Sequence, residues 1–379
     1  MQRHILHADQ DTFFVSVARK ENSALVGKPV LIGGFSDRAV VASCSYEARQ
    51  FGVHNGMSMK LARRQCPDAI VVRSDYDAYC RYSALVTEII ATRVPLYEKL
   101  GLDEYNIDLT GMDRFFGCAR FAHELRREII RESGLPISFG LSENKTVSKI
   151  AAGLAKPNGE LSVQQGTEKP FLAPLSIRKI PGVGERKYKL LRTMGVALIQ
   201  TIQQLPLQVM TDAMGREGFS IWQKANGIDT APVVPYREQK SRSKETTFEQ
   251  DTIDMGRLRK TIMLMMADLS FELRREGKIA QTITVKIRYS DFETHEKQIT
   301  IPYTNIESIL TKTALDVFAR LYRRRVLIRL IGVKLTGLIY GTPQIDLFQE
   351  TEEQVALNQA MDSIKARFGP QFLKLAAVL

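Results

Sequence analysis

Three acids in this chain are placed where they could act together. Asp9 closes the largely apolar run 4–8, and Asp103 with Glu104 falls inside residues 96–109, a stretch that reads as two short strands around a turn. Three carboxylates, with a main-chain carbonyl such as that of Gln10, make a hard-oxygen donor set that suits two Mg²⁺ ions. Two such ions can clamp the attacking and leaving oxygens of an in-line phosphoryl transfer. Taken singly these residues say little, because acids at strand ends and turns usually do no more than face solvent.

A second group supplies what a triphosphate needs. Residues 42–56 (ASCSYEARQFGVHNG) offer the hydroxyls of Ser43 and Tyr46 and the guanidinium of Arg49 on an incipient helix. Residues 144–159 (NKTVSKIAAGLAKPNG) read as a helix that stops at Lys156, where Pro-Asn-Gly follows. Hydroxyl, phenol, guanidinium and ammonium together form a cradle for phosphate oxygens. A surface pair on a helix is the plainer reading of Tyr46 and Arg49 alone.

Positioning these groups falls to elements legible from pattern. A strand at 4–9 and a helix at 12–22 come first, then strands at 28–32 and 39–42. Helices at 58–66 and 76–93 precede the hairpin 96–109, a helix at 119–133, a strand at 136–141 and a helix at 143–155. With residues 11–73 set aside as an inserted subdomain, the order is β-α-β-β-α-β, a ferredoxin-like α+β plan. In that plan the first strand neighbours the central hairpin, so Asp9 can meet Asp103 and Glu104.

Residues 170–235 are helical with short loops. Residues 236–245 are polar and aperiodic, as in a tether. A second α+β unit follows: a helix at 254–276, strands at 279–289 and 295–301, a helix at 306–322, a strand near 330–340 and a final helix at 352–368. A chain of 379 residues with 44% hydrophobic content can build several cores. Four scattered cysteines argue against disulfides and structural zinc. No apolar run reaches membrane-span length, and the N-terminus becomes acidic too early for a signal peptide, so a cytoplasmic location is expected.

The net charge of +11 and pI of 9.4 favour a polyanionic partner. Ile180-Pro181-Gly182-Val183-Gly184 ahead of a helix is a helix-hairpin-helix signature, in which free N–H groups at the helix start hold a phosphate; a plain turn between helices is the alternative. Arg186, Lys187 and Lys189 add charge on the next helix. Residues 320–334 carry Arg320, Arg323, Arg324, Arg325, Arg329 and Lys334 with no acid, and Lys286 and Arg288 share a strand face. A basic sheet of this kind could lie along duplex phosphates.

The motifs HADQDTFFVSV, SCSYEARQFGV, LDEYNIDLTG, SENKTVSKIAAGLAKPNG and IPGVG occur here in one order. In this they resemble the Y-family DNA polymerases, and the DNA polymerase IV branch in particular. The resemblance implies a right-hand polymerase: palm 1–10 and 74–166, small fingers 11–73, helical thumb 167–235, linker 236–241, α+β little finger 242–342, and a C-terminal segment 343–379. It implies a template-directed DNA polymerase using two-metal phosphoryl transfer, with low fidelity, lesion bypass and no proofreading. Mg²⁺ is the implied ion, with Mn²⁺ as an alternative. Primer-template DNA and dNTPs are the implied partners of a monomer.

By position, the resemblance makes Asp9, Asp103 and Glu104 metal-binding carboxylates and Gln10 a carbonyl donor. It makes Phe13, Phe14, Ser43, Tyr46, Arg49 and Lys156 nucleotide contacts. Phe14 becomes a steric gate against a ribose 2′-hydroxyl, although either phenylalanine could be core. Ala42 and Ser43 fall where the family roofs the nascent base pair. Gly182, Gly184, Arg186, Lys187, Arg323, Arg324 and Arg325 become DNA contacts. The role of Asp11 is left open. Gln344, Leu347 and Phe348 form a Q-x-x-L-F string like those that dock on sliding clamps; packing on the final helix is the equal alternative. Two departures stand out: the family usually has an apolar residue at the Gln10 position, and Gly101-Leu102-Asp103-Glu104-Tyr105 replaces its common Ser-Ile-Asp-Glu-Ala run. A nucleotidyl cyclase would share the metal chemistry but would have no use for IPGVG or the basic C-terminal unit. A non-catalytic DNA-binding scaffold would have no use for the acids.

Overall fold

The computed structural model describes residues 3–112, 117–342 and 351–369. It divides into two compact units, Met1–Arg237 and Glu238–Leu379.

The first unit is organised around β1 (Ile5–Gln10), which runs into α1 (Phe13–Glu21) through Thr12 in a left-handed conformation (φ 42°). An inserted three-stranded sheet follows, made of β2 (Val30–Gly33), β3 (Val41–Cys44) and β4 (Ile70–Val72), in the order β3-β2-β4. Helices α2 (Tyr46–Gln50) and α3 (Met59–Gln65) accompany it, with Leu31, Val41, Ala48 and Met59 in a core of their own. Asp75 caps α4 (Tyr76–Arg93) by accepting from the Ala78 N–H, satisfying one of the donors a helix start leaves free. The hairpin β5 (Tyr97–Lys99) and β6 (Glu104–Asp108) comes next. It is followed by α5 (Cys118–Ser133), β7 (Ile137–Ser142), α6 (Lys145–Ala155) and β8 (Glu160–Ser162).

The main sheet has the order β5-β6-β1-β7-β8, with β1 antiparallel to both β6 and β7. Its first four strands reproduce the ferredoxin-like order expected from the sequence, and β8 adds a parallel edge. Leu6 and Ala8 point to one side, into a core with Ile90, Leu125, Ile129, Tyr105 and Phe139. Strand alternation then turns His7 and Asp9 to the other side, the side covered by α6. Gly140, which faces His7 across the strands, allows that cover: a Cβ there would lie 2.0 Å from the Ser148 carbonyl oxygen of α6. The far face of α6 contributes Val147, Ile150 and Ala151 to a helical core. That core includes α7 (Glu168–Leu172), α8 (Glu185–Thr193), α9 (Ile199–Gln204) and α10 (Leu207–Ala225), the last broken at Gly215.

In the second unit, β9 (Ser241–Thr252), α11 (Met255–Arg275), β10 (Lys278–Tyr289), β11 (Thr294–Thr304), α12 (Glu307–Leu321), β12 (Ile328–Thr336), β13 (Ile339–Tyr340) and α13 (Thr351–Phe368) follow in order. The sheet runs β11-β10-β12-β9, with β13 also on β10. Helices α11 and α12 bury Leu258, Ile262, Leu269, Leu310 and Phe318 against Ile283, Val285, Ile287 and Val333. The tether read at 236–245 is shorter than expected. Residues 241–245 open β9, an edge strand that among the described residues pairs with β12 alone and has one buried residue, so it carries no apolar alternation to betray it.

Candidate active site

Register brings the expected acids to one end of the main sheet. Asp9 at the end of β1 pairs directly with Glu104 at the start of β6, and the Gln10 N–H donates to the Asp103 carbonyl at 3.0 Å. Ligand atoms of His7, Asp9 and Glu104 all lie within 4.8 Å of one another. Asp103 stands in the turn beside them, half-buried and outside that trio.

Helix α6 and the extended residue that caps its C-terminal end supply the counter-charges, from lysines seven residues apart. Lys149 donates to Glu104 at 2.7 Å, and Lys156 donates to Asp9 at 2.5 Å and to the Gln10 carbonyl at 3.4 Å. Burial raises the Asp9 carboxyl to about 6; Lys156 pulls against this, while Glu104 and Asp103 add to it. Burial and the Glu104 charge also push Asp103 up. For Glu104, burial is outweighed by the Lys149 bond and charge, and the carboxyl lies below its usual range. His7 is held down at about 4 by burial, against the opposing effect of its 2.8 Å bond to Asn106, so its imidazole is neutral at pH 7.

This arrangement fits a divalent cation. Carboxylates of Asp9 and Glu104 face each other, Asp103 is adjacent, and an ammonium already rests between the Asp9 carboxylate and the Gln10 carbonyl. Oxygen donors in this number suit a hard cation rather than zinc or copper.

Of the expected phosphate contacts, Tyr46 and Lys156 stand beside the acids. Tyr46 opens α2 and its hydroxyl donates to Asp11 at 3.4 Å; burial and the Asp11 charge raise the phenol. The Arg49 guanidinium lies 5.0 Å from the centre of the Tyr46 ring and is exposed. Ala42 is exposed and Ser43 is buried, as alternation along β3 requires. Phe14 stacks on Tyr79 with ring centres 4.1 Å apart and stays partly open. Phe13 is core, 3% exposed, so any nucleotide contact from it has to come from its backbone.

Sequence reasoning missed His7, Asn106, Lys149, Ser138 and Asn158. His7 carried a signal: two residues before Asp9 in a strand, it shares that residue's face. Lys149 carried another, seven residues before Lys156 in a helix. Ser138 and Asn158 meet the site only through tertiary structure.

In the IPGVG segment Gly182 adopts φ +97° and Gly184 is the N-cap residue of α8. Arg186 is exposed, and Lys187 is paired with Glu217 at 2.7 Å. Arg323 and Arg325 are exposed, whereas Arg324 binds Asp291 at 2.9 Å and also Glu293. The outer sheet face is less one-sided than expected: Lys286 lies 2.9 Å from Glu245 and 3.8 Å from Glu296. Gln344, Leu347 and Phe348 lie outside the described residues. Among those described, no helix is long and apolar enough to cross a membrane.

Residues 8–153 match the impB/mucB/samB family, and residues 239–347 match that family's C-terminal domain. The chain belongs to the impB/mucB/samB family. Within it, the chain is 34% identical over 372 residues to DNA polymerase IV of Dehalococcoides mccartyi (strain CBDB1), covering 97% of this chain and 95% of that protein. It is also 34% identical over 392 residues to DNA polymerase IV of Desulfatibacillum aliphaticivorans, covering 99% and 96%. A solved Y-family DNA polymerase chimera of Dbh and Dpo4 superposes with a TM-score of 0.77 at 24% identity, over 89% of this chain and all of that one. This impB/mucB/samB protein therefore has the fold of a Y-family polymerase, as its motifs implied.

Proposed function

We propose that the chain is a DNA-directed DNA polymerase that adds deoxynucleotides to a primer 3′ end against a template, with low fidelity and tolerance of damaged bases. The observation that carries this reading is the pairing of Asp9 with Glu104, beside Asp103 and under Lys156. Membership in a family whose relatives carry the name DNA polymerase IV supports it.

In this reading Asp9, Asp103, Glu104 and the Gln10 carbonyl hold two divalent cations, Mg²⁺ by the hardness of the donors. Bound there, the cations would supply Lewis acidity to the attacking and leaving oxygens. Tyr46, Arg49 and Lys156 bind the triphosphate, and Lys156 leaves the Asp9 carboxylate to do so. The Phe14 ring, backed by Tyr79, supports the sugar and excludes a 2′-hydroxyl by bulk. The exposed methyl of Ala42 leaves room over the base pair, which supports tolerance of imperfect geometry. Proofreading is not part of the reading.

Palm (1–10 and 74–166), fingers (11–73), thumb (167–235) and little finger (242–342) are the assignments proposed here. Gly182, Gly184, Arg186, Lys187 and the arginines 323–325 serve as DNA contacts, and Gln344, Leu347 and Phe348 as a clamp contact.

Primer extension with Mg²⁺ on intact and lesion-bearing templates tests the proposal. Extension is expected from the wild type and none from Asp103→Ala or Glu104→Ala. Undiminished extension by either variant would remove that acid from the chemistry, and absence of extension by the wild type would return the chain to a non-catalytic DNA-binding role.

A further inference from the structure

Asp11 is the acid the motif comparison leaves without a task. It follows β1 directly, two residues beyond Asp9, yet its side chain is only 2% exposed, against 18% for Asp9. Its oxygens are already taken. Ser138 Oγ of β7 lies 3.0 Å from both of them, the Asn158 N–H after α6 donates at 2.5 Å, and the Tyr46 hydroxyl donates at 3.4 Å. The Lys156 ammonium stands 3.7 Å away. Main-chain bonds fix the residue itself: its N–H donates to the Pro136 carbonyl at 2.9 Å, and its carbonyl accepts from Ser16 Oγ at 2.7 Å.

A carboxylate offers about four acceptor positions, and three donors with the Lys156 ammonium close by occupy most of them. Little remains for a cation. What Asp11 does instead is join three separate segments: β7, the start of α2, and the turn that ends α6. Two of those segments carry the triphosphate contacts Tyr46 and Lys156.

We infer that Asp11 is a positioning residue rather than a metal ligand, setting Tyr46 and the Lys156 turn at the spacing that receives the nucleotide's phosphates. This rests on the polymerase reading and deepens it. Removing the carboxylate frees the Tyr46 hydroxyl and loosens the turn without removing any donor to the cations.

The test is single-nucleotide insertion by wild type, Asp11→Ala, Asp11→Asn, Tyr46→Phe and the double variant Asp11→Ala/Tyr46→Phe. It is paired with mant-dATP anisotropy on a dideoxy-terminated primer-template, which reads nucleotide affinity without chemistry. Asp11→Ala is expected to raise KM and the mant-dATP Kd by roughly tenfold or more, with kcat and the Mg²⁺ midpoint changed much less. Asp11→Asn, which keeps one acceptor oxygen, should recover part of the loss. Tyr46→Phe should add little in the Asp11→Ala background, because residues acting as a unit are non-additive. A large fall in kcat with an unchanged KM and a shifted Mg²⁺ midpoint would make Asp11 a metal ligand and overturn the inference. Unchanged constants in both Asp11 variants, or additive losses in the double variant, would overturn it as well. Should Asp11→Ala not fold, Asp11→Asn and Tyr46→Phe still decide the matter. Absence of insertion by the wild type would instead sink the polymerase reading itself.

Discussion

Neutralising Asp9 should make the metal-free protein more stable. Its carboxyl rises from 3.8 to about 6 on folding, chiefly through burial. A shift of about two pK units is worth roughly 3 kcal/mol, because each unit is 1.36 kcal/mol of differential interaction. Between pH 3.8 and 6 the folded state holds more protons than the unfolded one, so this residue's contribution falls as pH rises through that window and is constant above it. At pH 8 the whole cost is present; at pH 5 about half of it remains. Asp9→Asn keeps the shape and removes the charge, and the loss of its Lys156 partner is already contained in the net shift. The gain at pH 8 is therefore roughly 3 kcal/mol, or a rise of roughly 6–12 °C in melting temperature for a unit of this size. Thermal unfolding in EDTA at pH 8 and pH 5 measures it, and the wild-type-to-variant gap should shrink at the lower pH. Added Mg²⁺ should raise the wild-type Tm and leave the variant's nearly unmoved. A variant that melts below wild type at pH 8, or a gap that widens at pH 5, would show that folding does not raise the Asp9 carboxyl by burying it.

Four further outcomes follow from other residues. Gln10 is 1% exposed and neither atom of its side-chain amide has a partner among the described residues, so Gln10→Met should raise the urea midpoint by the equivalent of about 1–2 kcal/mol with extension retained, since only its carbonyl faces the site. Phe14→Ala should increase rNTP insertion relative to dNTP insertion by roughly tenfold or more, and an unchanged ratio would remove Phe14 from the gate. Arg323→Glu with Arg325→Glu should lower the slope of log affinity for primer-template against log salt by about 2, read by fluorescence anisotropy, because each residue meets solvent directly. Arg324→Glu differs: it breaks the pairs with Asp291 and Glu293, so a fall in the Tm of the second unit should accompany any loss of binding.

Much of the positioning framework could be read without coordinates. Strand β1 is a short, largely apolar run that ends at an acid, α4 and α5 carry apolar residues at helical spacing, and the order of elements selects one sheet. That sheet places Asp9 opposite Glu104. Short and peripheral strands escaped because they lack the signals such reading depends on. β8 has three residues and β9 is a polar edge. Within the site, chemistry carried by single residues was legible, but pairings across segments were not. No spacing in the sequence announces that Ser138 and the Asn158 N–H converge on Asp11, or that Asn106 holds the His7 ring. Charge was legible as a total and misleading as a map. Lys286 looked free in the sequence and stands between two glutamates.

Gly140 has a consequence for how this site can change over generations. It lets α6 rest on the sheet main chain to main chain, and Gly159 does the same near the helix end, where a Cβ would meet the Ala155 carbonyl oxygen at 2.2 Å. At these two points backbone meets backbone, on β7, which pairs with the strand that bears Asp9, and on the turn that follows α6. Surrounding apolar residues can therefore be exchanged and repacked while the gap between acids and lysines stays gauged by bare backbone. A single added methyl at either glycine would shift that gauge at once.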